Sequence, residues 1–153
     1  MSQITPHFSW TEATRTGTGI PNEPTPEARG AIVQCSAPLM EEIRALLGGG
    51  AIGPTSWYRS PEINAHPTVR GSRTSDHVRG YAVDWRHATM SGEACMGVLV
   101  PAVRTGTLMV DQLILYQTGM IHVSRRLRGN RNDIMRSRAP SGSGGPYDPW
   151  GPV

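Results

Sequence analysis

Ser75-Asp76-His77-Val78-Arg79-Gly80-Tyr81-Ala82-Val83-Asp84-Trp85 puts a histidine at the end of a loop and an aspartate seven residues further on, in a run that reads as a strand. Gly80 lies between them and can turn the chain back, so that both polar side chains face one point. Asp84 is flanked by Val83 and Trp85. An ionised carboxylate in so apolar a strand is costly unless it meets a cation or a metal.

The same difficulty recurs at Met120-Ile121-His122-Val123, an apolar strand interrupted once by an imidazole. Two histidines and one aspartate from separate elements form a zinc-ligand set with a fourth position open to water. Spacing alone leaves two other readings open. A histidine in a strand can be a hydrogen-bonded core residue, and Asp84 can pair with an arginine.

Outward from this stretch, helix and strand signals alternate. Ser9-Trp10-Thr11-Glu12 reads as a capping box that starts a short helix. Gly17 to Glu23 reads as a loop. Thr25-Pro26-Glu27 is a second helix start, continued by Ala28, Ile32, Leu39, Ile43 and Leu46 and ended by Gly48-Gly49-Gly50. Ala51 to Trp57 reads as a strand, Tyr58-Arg59 as a bend and Ser60-Pro61-Glu62 as the cap of a brief helix through Asn64. An exposed loop over 66–75 follows, then a strand over Tyr81 to Arg86. Ser91 to Val103 reads as a helix that buries Val98, Leu99 and Ala102, and Asp111 to Tyr116 with Met120 to Ser124 reads as a hairpin. The order implies an α+β domain, a small antiparallel sheet backed by helices. Residues 1–136 form that domain, and the Gly/Pro/Ser-rich residues 137–153 read as a flexible tail.

The stretch from Ser75 to Asp84 and the segment Ile121-His122-Val123-Ser124 resemble the Ser-x-His-x-x-Gly-x-Ala-x-Asp and Trp-x-His motifs of the zinc D-alanyl-D-alanine carboxypeptidase family. That family includes L-alanyl-D-glutamate endolysins and has the Hedgehog-type peptidase fold. Thr55-Ser56-Trp57-Tyr58-Arg59-Ser60-Pro61-Glu62-Ile63-Asn64 is similar to its Ser-Gly-Tyr-Arg-Ser segment, Asp111-Gln112-Leu113-Ile114 to its Asp-Gln strand, and His7-Phe8-Ser9 to its start. The resemblance implies that His77, Asp84 and His122 bind Zn2+. It implies that Arg59 holds a substrate carboxylate or polarises the scissile carbonyl, with Ser75 also on the substrate side. Arginine suits that role because its planar fork meets a carboxylate bidentately.

The chain also departs from that pattern. Relatives place an acid three positions before the second zinc histidine, or a histidine slightly earlier, where this chain has Gly119 and Gln117; Met120 replaces the usual aromatic residue. Asp111, the nearest carboxylate in sequence, is the catalytic candidate for general base, with Glu62 a second option. Asp111 serves equally as a structural anchor of the hairpin strand.

At 153 residues the chain is long enough for one core and too short for two ordinary domains. All fifteen basic residues are arginine, which reads as coding bias, and a net charge of +3 decides nothing about partners. Arg125, Arg126, Arg128, Arg131, Arg136 and Arg138 form a run without interleaved aromatics, so it reads as a solvated or wall-facing segment and argues against nucleic-acid binding. His66 and His87 read as solvated loop residues. Cys35 and Cys95 sit in apolar helical patterns and read as buried, reduced thiols. No signal peptide or membrane span is evident, so the expected protein is made in the cytoplasm. It then acts at the bacterial cell wall after release, or in a phage virion.

The resemblance therefore implies a zinc peptidase for the peptides of peptidoglycan. The other reading is a virion-associated or wall-binding protein that keeps the fold and zinc but hydrolyses little.

Overall fold

The computed structural model describes residues 2–140 and 145–151. Its elements run β1 (Gln3–Thr5), β2 (Phe8–Ser9), α1 (Trp10–Ala13), α2 (Pro26–Ala31), a π-helical turn (Ile32–Ser36), α3 (Ala37–Leu46), β3 (Ile52–Ser56), α4 (Pro61–Asn64), α5 (Asp76–Arg79), β4 (Ala82–His87), α6 (Gly92–Arg104), β5 (Gln112–Leu115), β6 (Ile121–Ser124), β7 (Asp133–Ser137) and β8 (Tyr147–Pro149). The expected α+β class holds. β1 and β2 pair as a small ribbon, and the main sheet has the order β3-β4-β6-β5-β7-β8. All its pairings are antiparallel except β5 with β7, which run parallel.

The caps lie where the sequence puts them. Ser9 and Glu12 make the reciprocal capping box. Thr25, Ser60 and Ser91 each accept a hydrogen bond from the third amide of the following helix. The second helix is not one straight α-helix, however. Pro38 has no amide proton and its ring crowds the preceding turn. The chain widens into a π turn just before it, where the Ala37 amide reaches back five residues to the Ile32 carbonyl. The turn keeps Ile32, Cys35 and Ser36 all buried.

Alternation along the strands divides the sheet into two faces. Val83, Trp85, Leu113, Leu115, Ile121 and Val123 enter the main core with Leu39, Met40 and Ile43 of α3 and Cys95, Met96 and Leu99 of α6. Asp84, His122, Ile114 and Met135 are cross-strand partners and lie on the other face. There Ile114, Tyr116 and Met120 make a second, small apolar cluster. Both cysteines are free and buried.

Three expectations are corrected. Val98 is 38 % exposed, and α6 buries Cys95, Met96 and Val103 beside Leu99 and Ala102, because the helix is rotated relative to the periodicity read from the sequence. Residues 137–153 are not a tail throughout. Ser137 ends β7, and β8 pairs with β7 at the sheet edge, with Trp150 packed against the main core. Residues 141–144, 152 and 153 of that segment lie outside the described residues.

As the third correction, the arginine run is not simply solvated: most of it is ion-paired, although Arg128, Arg131, Arg136 and Arg138 are exposed. Arg125 pairs with Glu42, Arg126 with Asp76 and Asp111, Arg131 with Asp111 and Asp133, Arg136 with Glu93, and Arg138 with Asp148. Most of the carboxylates come from distant positions, so these pairs clamp β7 and the loop before it.

Candidate metal centre

His77, Asp84 and His122 converge. One ligand atom from each lies within 4.8 Å of the other two. Asp84 and His122 are register partners on neighbouring antiparallel strands, which brings their side chains together on one face. His122 Nδ1 is 2.9 Å from Asp84 Oδ1. His77 arrives from α5, a one-turn helix and not the loop end the sequence suggests, and its Nε2 is 3.3 Å from the same Asp84 oxygen.

The Gly80 turn makes that approach possible. Gly80 caps α5 at φ +84°, in the left-handed region, and a Cβ there would lie 2.6 Å from the Ala28 carbonyl oxygen. Only glycine fits on both counts. Ser36, turned inward by the π turn, donates from Oγ to the Gly80 carbonyl at 2.8 Å and accepts from Trp57 Nε1 at 2.8 Å. The Trp57 carbonyl in turn accepts from His77 Nδ1 at 2.7 Å. With Nδ1 engaged as donor, Nε2 carries the lone pair and faces the convergence point.

His77 Nε2 is buried and makes no hydrogen bond among the described residues. A buried imidazole nitrogen without a proton or a donor, aimed at a carboxylate and a second imidazole, fits a metal ion well. The electrostatics agree. Burial pushes the His77 imidazole below its ordinary range, against the pull of Asp84. Burial also pushes the Asp84 carboxyl up, but His77 and then His122 outweigh it and hold the group well below the usual carboxylate range. The site thus presents a neutral imidazole and an ionised carboxylate, the forms that ligate.

Arg59 stands beside it. The Tyr58–Ser60 bend is pinned by Asn22, whose Nδ2 donates to the Tyr58 carbonyl at 2.8 Å and whose Oδ1 accepts from the Ser60 amide at 2.8 Å. The Arg59 amide donates to the His77 carbonyl at 3.2 Å. Its guanidinium is 3.9 Å from Asp84 Oδ2, and its Nε is buried without a hydrogen-bond partner among the described residues. Burial lowers its pKa and Asp84 opposes that shift.

Arg59, His77 and His122 line a cleft of about 350 Å³, with Ser75, Gln112, Tyr116, Arg126 and Tyr147 among its other walls. Ser75 caps α5, its Oγ accepting from the His77 amide at 3.2 Å, so it orients a ligand besides lining the cleft. Tyr116 is buried, and burial followed by the neighbouring Tyr147 hydroxyl pushes its phenol far above the ordinary range. It can donate a hydrogen bond but not take a proton from water.

Asp111, the catalytic candidate from sequence, is placed elsewhere. Its side chain is fully buried and accepts from the Arg131 amide, Nε and NH2 at 3.2, 3.0 and 2.8 Å. It anchors the loop before β7 and does not line the cleft. Glu62 is exposed on α4 and does not line it either. Gly119 sits in the β5–β6 turn at φ +87° and also lies outside this cleft. His66 is half-buried and bonds Thr68. His87, also half-buried, accepts the Thr89 and Met90 amides at Nδ1, so it caps a turn and is not simply solvated.

Sequence reasoning did not single out the Trp57 carbonyl, Ser36, Tyr116 or Tyr147. A backbone carbonyl leaves no trace in composition. Tyr116 could have been found by alternation from Ile114, the register partner of His122.

Fold and site together define an α+β domain with a candidate metal centre, whose three possible ligands come from α5, β4 and β6. A family model described as Peptidase M15 matches residues 7–124, a span that holds all three ligands and Arg59. The chain belongs to the Peptidase M15 family, whose members are zinc peptidases. No match to a curated protein was found.

Proposed function

We propose that the protein is a zinc peptidase acting on the stem or cross-link peptides of peptidoglycan, as a phage endolysin or a wall-recycling enzyme. The observation that carries this is the orphaned His77 Nε2, which faces Asp84 and His122 beside a buried, unsatisfied Arg59 Nε in the same cleft. His77, Asp84 and His122 would hold the ion. Zinc there supplies Lewis-acid polarisation of a carbonyl and lowers the pKa of water to about 7. Arg59 binds and orients the substrate through a carboxylate or the scissile carbonyl, and burial strengthens that contact. Trp57 and Ser36 hold the His77 tautomer. Incubation with purified peptidoglycan, with mass spectrometry of released peptides and elemental analysis on the same sample, tests both activity and metal.

One observation favours a second reading, a virion or wall-binding protein with little hydrolysis. The carboxylate that lines the cleft among the described residues is Asp76, and both its oxygens are taken by Arg126. A positioned general base contributes roughly a hundredfold to ten-thousandfold in rate. Peptides bound but not released as products, with full zinc occupancy, would decide for this reading.

A further inference from the structure

The face that carries the metal ligands continues across the sheet beyond the family match. Asp84, His122, Ile114 and Met135 are successive register partners from β4 to β7. Residues two positions along share their face, which adds Tyr116 next to Ile114 and Ser137 next to Met135. Ser137 is the register partner of Tyr147. Tyr147 therefore lies on the metal face, and it lines the same cleft as His77, His122, Arg59 and Tyr116. β7 and β8 both fall outside the matched residues 7–124.

β8 is held firmly enough to present a side chain. Arg138 donates from Nε and NH2 to the two Asp148 carboxylate oxygens at 2.9 and 2.8 Å. The Trp150 amide donates to the Ile134 carbonyl at 2.8 Å, and its ring lies 4.0 Å from the Arg136 guanidinium carbon. Strand alternation turns Asp148 and Trp150 to one side and Tyr147 to the other. The Tyr147 residue is 40 % exposed, so its ring is open to a ligand; its hydroxyl meets that of the buried Tyr116 and keeps a further hydrogen-bonding position. Ile114 is the one aliphatic side chain among the described residues that line the cleft. Tyr147 thus supplies accessible apolar surface that the arginines, hydroxyls and amide around it do not.

We propose that Tyr147 is a substrate-contacting residue, its ring packing on a small side chain of the bound peptide and its hydroxyl bonding to the peptide backbone. The proposal rests on the wall-peptide reading above. Three strand steps separate β6 from β8, about 14 Å of backbone, so the contact falls on a part of the peptide away from the reacting bond. It acts on affinity and leaves the metal undisturbed.

The test uses the zinc-loaded full chain and the synthetic pentapeptide L-Ala-γ-D-Glu-L-Lys-D-Ala-D-Ala. Titration calorimetry gives Kd, or product analysis gives KM and kcat where the peptide is cleaved, with zinc content and melting temperature measured alongside. Tyr147→Ala is expected to weaken Kd or KM about tenfold, the loss of one aromatic anchor, with kcat and zinc unchanged. Tyr147→Phe, which keeps the ring and guards against misfolding, is expected to fall between the two. Wild-type binding with Tyr147→Ala folded and within twofold of it overturns the proposal alone. Tyr147→Phe equal to wild type overturns the hydroxyl contact. A zinc-loaded wild type that does not bind the pentapeptide overturns the wall-peptide reading and this proposal together.

Discussion

His77 Nδ1 lies 2.7 Å from the carbonyl oxygen of Trp57, and that one hydrogen bond leaves Nε2 as the imidazole nitrogen that faces Asp84 and His122. The Trp57 indole is held in turn by Ser36, which also holds the Gly80 turn between the candidate ligands His77 and Asp84. The candidate metal centre is thereby tied to the π turn in the first long helix.

Removing any ligand should empty the site. His77→Ala, Asp84→Ala and His122→Ala are each expected to lose stoichiometric zinc by elemental analysis, because three protein ligands are the usual number for an open zinc site. Full zinc in any one of the three would remove that residue from the set.

Ser36→Ala should cost stability without touching a ligand. It leaves the Trp57 indole N–H and the Gly80 carbonyl without their partner inside the protein. The expected loss is about 1–3 kcal/mol in urea denaturation, with zinc affinity reduced about 10–100-fold through the loosened His77. Unchanged affinity would show that His77 is oriented independently of Ser36.

Asp111 gives a pH signature. Burial raises its carboxyl pKa, but the Arg131 side chain and amide, with Arg126, outweigh this and hold it below the ordinary value. A depressed folded-state pKa means that the stabilisation is fully present above the unfolded value, about 3.9, and is lost as pH falls through the lower folded value. Asp111→Asn should therefore cost roughly 1–2 kcal/mol at pH 7, a figure kept small because Arg131 is half exposed. The gap between wild type and variant should narrow only below about pH 4. A gap that closes between pH 6 and 8 would point to another group.

Installing the acid that relatives carry should not restore chemistry here. Gly119 has φ +87°, and a Cβ would meet only ordinary contacts at 3.6 and 3.9 Å, so the cost is in the backbone. Gly119→Glu is expected to lose about 1–2 kcal/mol of stability and to leave the rate of peptide release unchanged. A gain in rate would mean that the turn rearranges.

Truncation after Arg138 should destabilise the protein. It removes β8, the Arg138–Asp148 pair and Trp150 with its contact to Arg136 and the core. Partial burial of the indole alone is worth about 1–2 kcal/mol, so a clear fall in melting temperature is expected. An unchanged melting temperature would restore the reading of this segment as a dispensable tail.

By itself the sequence determined what local chemistry and periodicity dictate. The capping residues Ser9, Thr25, Ser60 and Ser91 mark helix starts because their oxygens satisfy the first-turn amides close by in the chain. The polar interruptions at Asp84 and His122 stood out because their apolar neighbours made burial, and hence a partner, necessary. The tertiary structure alone decided what depends on contacts between distant positions. The turn of α6 that exposes Val98, the carboxylates that pair with Arg125, Arg126, Arg131, Arg136 and Arg138, the commitment of Asp111 to Arg131, and the arrival of Tyr147 at the cleft all follow from packing and register. A charge run carries no mark of the acids it will meet, and a strand of three residues has too few positions to show its period. Their pairing is settled only when the sheet edge forms.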